Sequence, residues 1–564
     1  MRTACRCAVV IATLSIATAS AAPAQQSGNG GDSFRSEIFV GSQPENYLRY
    51  LQTMGLVPLY PWSSRAFSPR ELDKLIPSSP AHPWSLRLAS SAKNFHGISY
   101  DFIRPDATFR FNSGFPYGYN DGPIWAGRGL TSAIQLGVAA RWGPASLTIA
   151  PMAFRAENQS FFIMPTGLTG LGAFADGTHR GVDYPQRFGD TPYSQLDPGE
   201  STFRVDLPIV TFGVSTANMG WGPGTEYPLL LGDNAAGFPH AFVGTSEPIN
   251  IFIGKIHGNL MWGELAQSKY SPVTGPSLFT SPAEPGRKRF TTGFVLVGEV
   301  RGITGLEIGG ARFFHSIWPR SGIPSSYLTK AFQGFLKKNL PPDLPPDPRF
   351  PSEDPARGIA DNQLLEVFAR WVLPHSGFEL SAEYGREDHS EDLRDLTQEP
   401  DHSRMYNIGM RKVISLDSHS MTAARFELIN FQLPSLSRYR GEGEIYLHGL
   451  MRQGHTYLGQ LLGAPVGVGT AAGSTLAVDH YTSNGRWTLS WVRDLKQEDG
   501  NFVILGVRQP HSMDVTHAVG LETTRFMRGF DVTTGLTFVR DFNRDFAADA
   551  ANVNAMLGLR YNIR

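Results

Sequence analysis

Residues 117–125 bring aromatic side chains and a carboxylate together in a stretch that also contains glycines. Tyr117, Tyr119 and Trp125 offer ring faces on which a sugar could stack, and Asp121 could accept hydrogen bonds from sugar hydroxyls. The same aromatics would also suit the interfacial girdle of a membrane-spanning barrel. The stretch therefore predicts either a carbohydrate contact or a structural girdle, and the residues alone leave both open.

The segment Trp221-Gly222-Pro223-Gly224 is the most distinctive short pattern in the chain, and Asn234 follows it after an apolar run. The glycines permit positive φ angles and close approach by other backbone. Asn234 could hydrogen-bond its own backbone or a ligand. The pattern is typical of a structural turn, and it is also a candidate binding segment.

Residues 385–404 form a strongly charged, hydrophilic segment. Carboxylates recur from Glu387 to Asp401, and His389 and His402 lie among them. Oxygen ligands at this density could hold Ca²⁺ or Mg²⁺, although their spacing does not match an EF-hand loop. The segment predicts either a divalent-cation site or a solvated surface loop.

Known catalytic motifs are missing from the sequence. It contains no H-E-x-x-H, G-x-S-x-G or P-loop pattern, and the glycines of 467–473 miss the dinucleotide-binding spacing. His448 and His455 lie close together, but no spacing marks a nucleophile and its base. The only cysteines are Cys5 and Cys7. We therefore expect no enzyme and no cofactor, with an outer-membrane hydrolase kept as an alternative.

The N-terminal part of the chain predicts export and then a small helical region. Residues 1–24 have a basic start, an apolar run and the Ala22-Pro23-Ala24 cleavage pattern of a secretory signal. Within 25–94, apolar residues recur at helical spacing in 45–55, and Ser68 begins an S-x-x-E capping box. We expect this region to be periplasmic.

From about residue 95 the hydrophobic period changes to two. Phe378 and Leu380 alternate with Glu379 and Glu383, for example, and the same pattern runs through residues 553–564. A soluble sandwich and a membrane barrel both produce this pattern. Strands long enough to cross a bilayer, charges of both signs on the polar faces and the export signal favour the barrel. The segment 95–564, roughly 470 residues, predicts an all-β, transmembrane antiparallel barrel of roughly 16–20 strands at ~25 residues per strand and loop.

Two long insertions interrupt the alternation, at residues 157–200 and 314–362. The second contains a short amphipathic stretch and then a proline-rich one. Connections of this length are uncommon in compact folds unless they are functional or disordered. A barrel could fold such an insertion inward as a constriction or outward as a cap.

The sequence resembles the capsule assembly protein Wzi family. The resemblance rests on Trp221 to Gly224, the Asp233-Asn234-Ala235 turn, Phe238-Pro239, and the glycine-rich segment 454–463. It implies an outer-membrane barrel of about eighteen strands with a periplasmic helical module. It also implies a lectin-like role, in which surface groups hold capsular or other exopolysaccharide on the cell, and it implies no reaction.

The sequence thus predicts a non-enzymatic outer-membrane protein whose partners are polysaccharide and membrane lipid, with divalent cations at 385–404. The net charge of −1 gives no electrostatic reason for nucleic-acid binding. The alternative function is a porin or a specific solute channel, which needs a water-filled lumen. The two long insertions favour a plugged one.

Overall fold

A computed structural model describes residues 38–562 except 76, 89–91, 180, 274–287, 319–322, 337–360, 389, 391, 434–442, 449–450, 498–502, 505–506 and 509–512. The predicted signal sequence at 1–24 and the proline-rich stretch of the 314–362 insertion lie outside the described residues. So do His389 and Glu391 of the charged segment.

Within the described residues, eighteen antiparallel strands close into one barrel, as the alternating pattern predicts. The last strand pairs with the first, with Asn554 opposite Asn112 and Arg560 opposite Asp106. Three of the strands are each interrupted once and are given below as two ranges. The strands are β1 Ile98–Asn112, β2 Gly129–Trp142, β3 Ala145–Ile149 with Met152–Ala156, β4 Tyr193–Asp197 with Thr202–Asp206, β5 Val210–Ser215, β6 His240–Thr245 with Ile249–Ile251, β7 Gly254–Ala266, β8 Lys288–Val300, β9 Leu306–Ile317, β10 Asp361–Leu373, β11 Phe378–Glu387, β12 Arg404–Leu416, β13 Ser420–Asn430, β14 Ala471–Thr482, β15 Gly485–Gln497, β16 Met513–Phe526, β17 Phe530–Arg544 and β18 Ala548–Tyr561.

The outer face of the barrel is apolar and the inner face is polar over much of its length. Leu380 is 42 % exposed on the outside, whereas its neighbour Glu379 is 1 % exposed inside. Closure pairs the backbone of every strand with two neighbours, so no sheet edge faces lipid. An apolar exterior on a closed sheet is the arrangement that crosses a bilayer. No helix among the described residues is long and apolar enough to span a membrane.

The two ends of the barrel differ in their connections. The connections β2–β3, β4–β5, β6–β7, β8–β9, β10–β11, β12–β13, β14–β15 and β16–β17 are turns of two to five residues, and they share one end, the turn end. The opposite end, the loop end, carries all the long connections. The chain enters β1 and leaves β18 at the turn end.

Among the described residues, two helices precede the barrel, as the sequence predicts. Helix α1 (Gln43–Thr53) is capped by Ser42, and helix α2 (Pro69–Lys74) has the predicted capping box between Ser68 and Glu71. Two further helices lie in loop-end connections, α3 (Ser325–Leu328) and α4 (Leu393–Gln398). The remaining helical elements are 3-10 turns at Gly170–Phe174 and Lys330–Phe332. A short strand, Lys93–Phe95, pairs with the start of β1. Three pairs of two-residue strands lie outside the barrel sheet: Ser64–Arg65 with Gly220–Trp221, Thr456–Tyr457 with Gln460–Leu461, and Val503–Ile504 with Val507–Arg508.

Helix α1 lies inside the turn end of the barrel. Its Arg49 donates to the Glu379 carboxylate at 2.6 Å, and its Tyr50 hydroxyl donates to Asp479 at 2.8 Å. Tyr47 and Leu51 join a buried apolar cluster with wall residues such as Tyr481. The helical region therefore shares its core with the barrel. Its placement in the periplasm stays a prediction.

A first testable prediction concerns Glu379, whose carboxylate accepts from both Arg49 and Arg370, the latter at 2.7 Å. Glu379→Gln removes the buried charge that compensates two arginines, and breaking such a network costs about 3 kcal/mol or more. We expect the free energy of unfolding in lipid vesicles to fall by this amount. We also expect residues 38–75 to become sensitive to protease.

The matched control is Glu264→Gln, because Glu264 forms a partly exposed ion pair with Lys288 at 2.6 Å. Exposed pairs contribute about 0–1 kcal/mol. Equal protease resistance of the wild type and Glu379→Gln would show that the ion pairs do not hold the helices in the barrel.

Candidate functional site

Two loop segments pack together inside the barrel lumen, residues 219–238 between β5 and β6 and residues 445–448 and 451–468 between β13 and β14. The Gly232 N–H donates to the Leu462 carbonyl at 3.2 Å, and the Asn234 amide donates to the Leu461 carbonyl at 2.9 Å. These are the two segments on which the family resemblance rests. The structure brings them together as a single plug.

The predicted binding residues Trp221, Gly222, Pro223 and Gly224 are buried in this plug. The Trp221 indole is 1 % exposed, and a Cβ at Gly293 on the wall would lie 2.9 Å from it, so a glycine is needed there. Gly222 has a φ of +81°, and its α-carbon faces wall carboxylates that a side chain would meet. None of these four residues lines either of the two lumen cavities described below, and their local role is to build the plug.

The backbone after Trp221 wraps two carboxylates of the barrel wall. The Gly224 N–H donates to Glu383, and the N–H groups of residues 225–227 all donate to Glu427 at 2.9–3.2 Å. Successive amides converging on one carboxylate form an anion-binding concavity. The alternation in the sequence places Glu383 on a polar face, but it gives no signal that this backbone is its partner.

His455 is a structural residue of the plug. Its Nε2 lies 2.7 Å from the Leu230 carbonyl, which can only accept, so Nε2 carries the proton. Its Nδ1 therefore accepts from Nε2 of His315 at 2.8 Å. Burial lowers the pKa of His455 to about 3, which keeps the ring neutral. One ring nitrogen thus joins the two plug segments, and the other holds the plug to His315 of β9.

The aromatic stretch 117–125 belongs to the connection between β1 and β2, which folds into the lumen. The Asn112 amide at the end of β1 donates to the carbonyls of Tyr117 and Ala126 at 3.1 and 2.9 Å. Asp121 forms an ion pair with Arg110. These contacts fix the stretch across the lumen. The Asp121 carboxylate is neutralised by an arginine of the barrel wall.

The stretch separates two cavities. The loop-end cavity, of about 230 Å³, is lined by Tyr117, Tyr119, Trp125 and Asn234. The turn-end cavity, of about 530 Å³, is lined by Tyr117, Tyr119, Asp121 and residues of α1. The structure therefore brings the predicted aromatics and Asn234 to one cavity, while Trp221 to Gly224 lie apart from it. We take the loop-end cavity as the candidate functional site.

Charged residues that were not predicted also line the loop-end cavity. Asp494 and Lys496 point inward from β15, Asp541 from β17, and Arg544 and Asp545 follow at the end of β17. Together they offer both acceptors and donors for hydroxyl groups. Asp494 and Lys496 could have been found by continuing the inward positions of β15 to its loop end, but the residues at the end of β17 depend on where that strand stops.

His179 holds two loops together beside this cavity. Its ring lies 2.8 Å from Glu444 and 3.5 Å from Asp176. Because His179 and Asp176 belong to the β3–β4 connection and Glu444 to the β13–β14 connection, the ring joins the two loops. Burial lowers the pKa of His179, but the hydrogen bonds and charges of the two carboxylates outweigh it and raise the pKa to about 10. His179 is therefore charged at neutral pH. We refer to this contact as the His179 clasp.

In the charged segment, the Asp392 side chain caps α4 by accepting from the Asp395 N–H at 2.9 Å. Across the part of the chain that the structure describes, no three His, Cys, Asp or Glu side chains are arranged to hold a metal ion. Since His389 and Glu391 lie outside that part, the divalent-cation site stays a prediction.

No family model matches this chain, and no curated protein matches it in sequence. Among solved structures it is similar to Wzi of Escherichia coli, described as an outer-membrane protein involved in group 1 capsule assembly and as a carbohydrate-binding β-barrel. That match has a TM-score of 0.57 and 13 % identity, and it covers 93 % of this chain and 99 % of Wzi. The resemblance predicted from the sequence is thus confirmed at the level of the fold.

Two weaker matches are OccAB3 of Acinetobacter baumannii and OccK2 of Pseudomonas aeruginosa in complex with glucuronate. Both have a TM-score of 0.37 and cover 82 % of this chain. They have 9 % and 8 % identity and are covered over 98 % and 99 % of their own chains. A likeness at this level carries no argument about function.

A second prediction concerns the pH dependence of the His179 clasp. Because the pKa rises from 6.5 to about 10 on folding, the clasp stabilises the protein fully below pH 6.5. Its contribution then declines and is lost as the pH rises through 10. We expect the difference in free energy of unfolding between wild type and His179→Gln to follow this profile.

His419→Gln is the matched control, since His419 is exposed in the β12–β13 turn. It should give a difference that is small at every pH. A difference for His179→Gln that stays constant from pH 5 to pH 11 would contradict the assignment of a charged His179.

Proposed function

We propose that this protein is an outer-membrane barrel that binds surface polysaccharide and keeps it attached to the cell, without catalysing a reaction. The observation that carries the proposal is the combination of a filled lumen with an aromatic-lined cavity at the loop end. The shared fold with a carbohydrate-binding barrel supports it. A filled lumen favours holding a ligand at the surface over passing it through the wall.

The connections support an outward-facing site. Outer-membrane barrels have short turns on the periplasmic side and longer loops on the outer side. All the long connections of this barrel lie at the loop end, together with the candidate cavity. In that orientation, the helices α1 and α2 face the periplasm and the cavity faces the medium.

The chemistry of the cavity suits sugars. Tyr117, Tyr119 and Trp125 are half-buried, so part of each ring remains available for stacking. Asn234 and the carboxylates around it can hydrogen-bond hydroxyl groups. One weak site per molecule suffices, because many copies on one cell can hold a long polymer through avidity.

The third prediction tests attachment in a deletion strain. Loss of the gene should leave the total polysaccharide unchanged and increase the fraction shed into the medium. Complementation with Tyr117→Ala/Tyr119→Ala should fail to restore retention, because each lost ring contact is worth about 1 kcal/mol, or roughly five-fold in affinity. Cell-bound and shed polymer are measured separately.

Tyr561→Ala is the matched control, since Tyr561 lies on the outer face at the turn end and is far from the cavity. This variant should restore retention fully. Unchanged retention in the deletion strain itself would refute the attachment role.

The second candidate function is a solute channel. The turn-end cavity adjoins the loop-end cavity, and residues 117–119 line both. A small movement of this stretch would connect the two spaces. The ion pair between Arg110 and Asp121 opposes that movement.

The fourth prediction separates the two functions by conductance in planar bilayers. We expect the wild type to be closed and Arg110→Ala to show openings, because the 117–121 stretch then loses its anchor. Arg540→Ala, which removes a half-exposed pair with Asp549 and a cation–π contact with Phe542, should stay closed. A steady ohmic conductance of the wild type would favour the channel.

A further inference from the structure

Residues 323–336 of the β9–β10 connection fold back over the outer wall of the barrel, and we refer to them as the strap. The alternation of β9 shows which side chains point out of the barrel. Ala311 and Phe313 belong to the lumen core, so Arg312 and Phe314 face outward. On β10, Leu364 faces the lumen and Gln363 faces outward. The strap covers these outward positions, since Arg312, Phe314 and Gln363 are at most 2 % exposed.

Arg312 anchors the strap. Its guanidinium donates to the Gln333 carbonyl at 2.7 Å and to the Ala331 carbonyl at 3.3 Å, and its Nε donates to Gln363 at 3.0 Å. The same guanidinium lies 4.3 Å from the ring centre of Phe335. A bare arginine on the lipid-facing wall would be costly. The strap carbonyls accept the hydrogen bonds of this guanidinium and cover it from lipid. Arg312 therefore needs the strap as cover, and the strap needs Arg312 as its anchor.

Further contacts extend the attachment across neighbouring strands. Lys330 forms a buried ion pair with Asp361 of β10 at 2.8 Å. The Trp262 indole of β7 donates to the Leu328 carbonyl at 3.0 Å, and Tyr327 packs on Phe290 of β8. The strap therefore spans the wall from β7 to β10 near the loop end.

The outer face of the strap is uncharged, and it combines large apolar side chains with the exposed hydroxyls of Ser325, Ser326 and Thr329. Lys330 is the only charged residue in 323–336, and it is buried against the wall. Four large apolar side chains remain 42–62 % exposed on the strap: Ile323, Leu328, Phe332 and Phe335. On the strands beneath, Leu296, Ile308 and Val367 are 48–52 % exposed on the same outer surface.

We propose that the outer face of the strap is a lipid-binding surface that lies in the membrane interface and contacts the acyl chains of the adjacent leaflet. Its apolar surface continues the lipid-facing surface of β8, β9 and β10. Aromatic residues at this depth form the interfacial girdle of membrane barrels. In this sector a loop supplies the girdle and shields a polar cluster of the wall. The proposal depends on insertion of the barrel, and it is independent of polysaccharide binding.

Spin labelling tests the proposal directly, because the only cysteines are Cys5 and Cys7 and both can be replaced by serine. Single cysteines are introduced by Leu328→Cys and Phe332→Cys in the full chain, reconstituted in phospholipid vesicles. Collisions of the label with oxygen, which concentrates in lipid, are compared with collisions with a water-soluble nickel chelate. Val367→Cys on the outer wall and Gln398→Cys on exposed α4 are the references.

We expect labels on the strap to match the lipid-like oxygen preference of Val367→Cys. A water-like response, as at Gln398→Cys, would overturn the proposal. Low collision rates with both reagents would also overturn it, since they would place a second protein surface on the strap. A lipid-like response of the Val367→Cys reference shows that the barrel is inserted. A failure of the lipid-contact proposal for the strap can therefore be told apart from a failure of the barrel to insert.

Arg312→Met tests the anchor. We expect the label at position 332 to lose its lipid-like response and residues 323–336 to become cleavable by protease, while the barrel keeps its heat-dependent shift on gels. Arg301→Met is the matched control, because Arg301 is exposed in the β8–β9 turn and its side chain donates to the Ile251 carbonyl at 2.8 Å. An unchanged strap in a folded Arg312→Met variant would refute the anchoring role.

Discussion

Closing a sheet into a barrel commits alternate side chains of every strand to the lumen, and each charge placed there must find a partner inside the protein. An unpaired buried charge costs about 3–5 kcal/mol, which is a large part of the stability of a protein. Glu379 is compensated by Arg49 from α1, whereas Glu383 and Glu427 accept hydrogen bonds from the backbone of residues 224–227. The segments that enter the lumen are therefore required by the wall that surrounds them.

This requirement explains why the most distinctive motif of the chain is buried. Close approach of successive amides to a carboxylate leaves no room for side chains at the crossing points, and Gly222 and Gly224 both face carboxylates there. Trp221 then fills the apolar space beside Phe313, at a ring-centre distance of 6.1 Å. A motif of this kind marks where a plug crosses a charged wall. It identifies the architecture, and the candidate cavity lies elsewhere.

The local, periodic features were predictable from the sequence. The inward position of Glu379, the outward position of Leu380 and the capping box at Ser68 all follow from spacing over a few residues, and the structure confirms them. The meeting of Gly224 with Glu383, 159 residues apart, and of Asn234 with Leu461, 227 residues apart, could not be predicted. Such contacts depend on which loops enter the lumen, and short-range spacing does not specify that.

A charge on the wrong face of a strand is one long-range signal that the sequence does carry. Once Phe313 is assigned to the lumen, Arg312 must face lipid, where it is tolerated only if other protein covers it. The strap, which spans β7 to β10, provides this cover for Arg312. The candidate cavity lies against β15 to β17, which is about half the circumference away. The proposed membrane contact and the candidate cavity thus lie in different sectors of the loop end, so we expect changes in one sector to leave the other undisturbed.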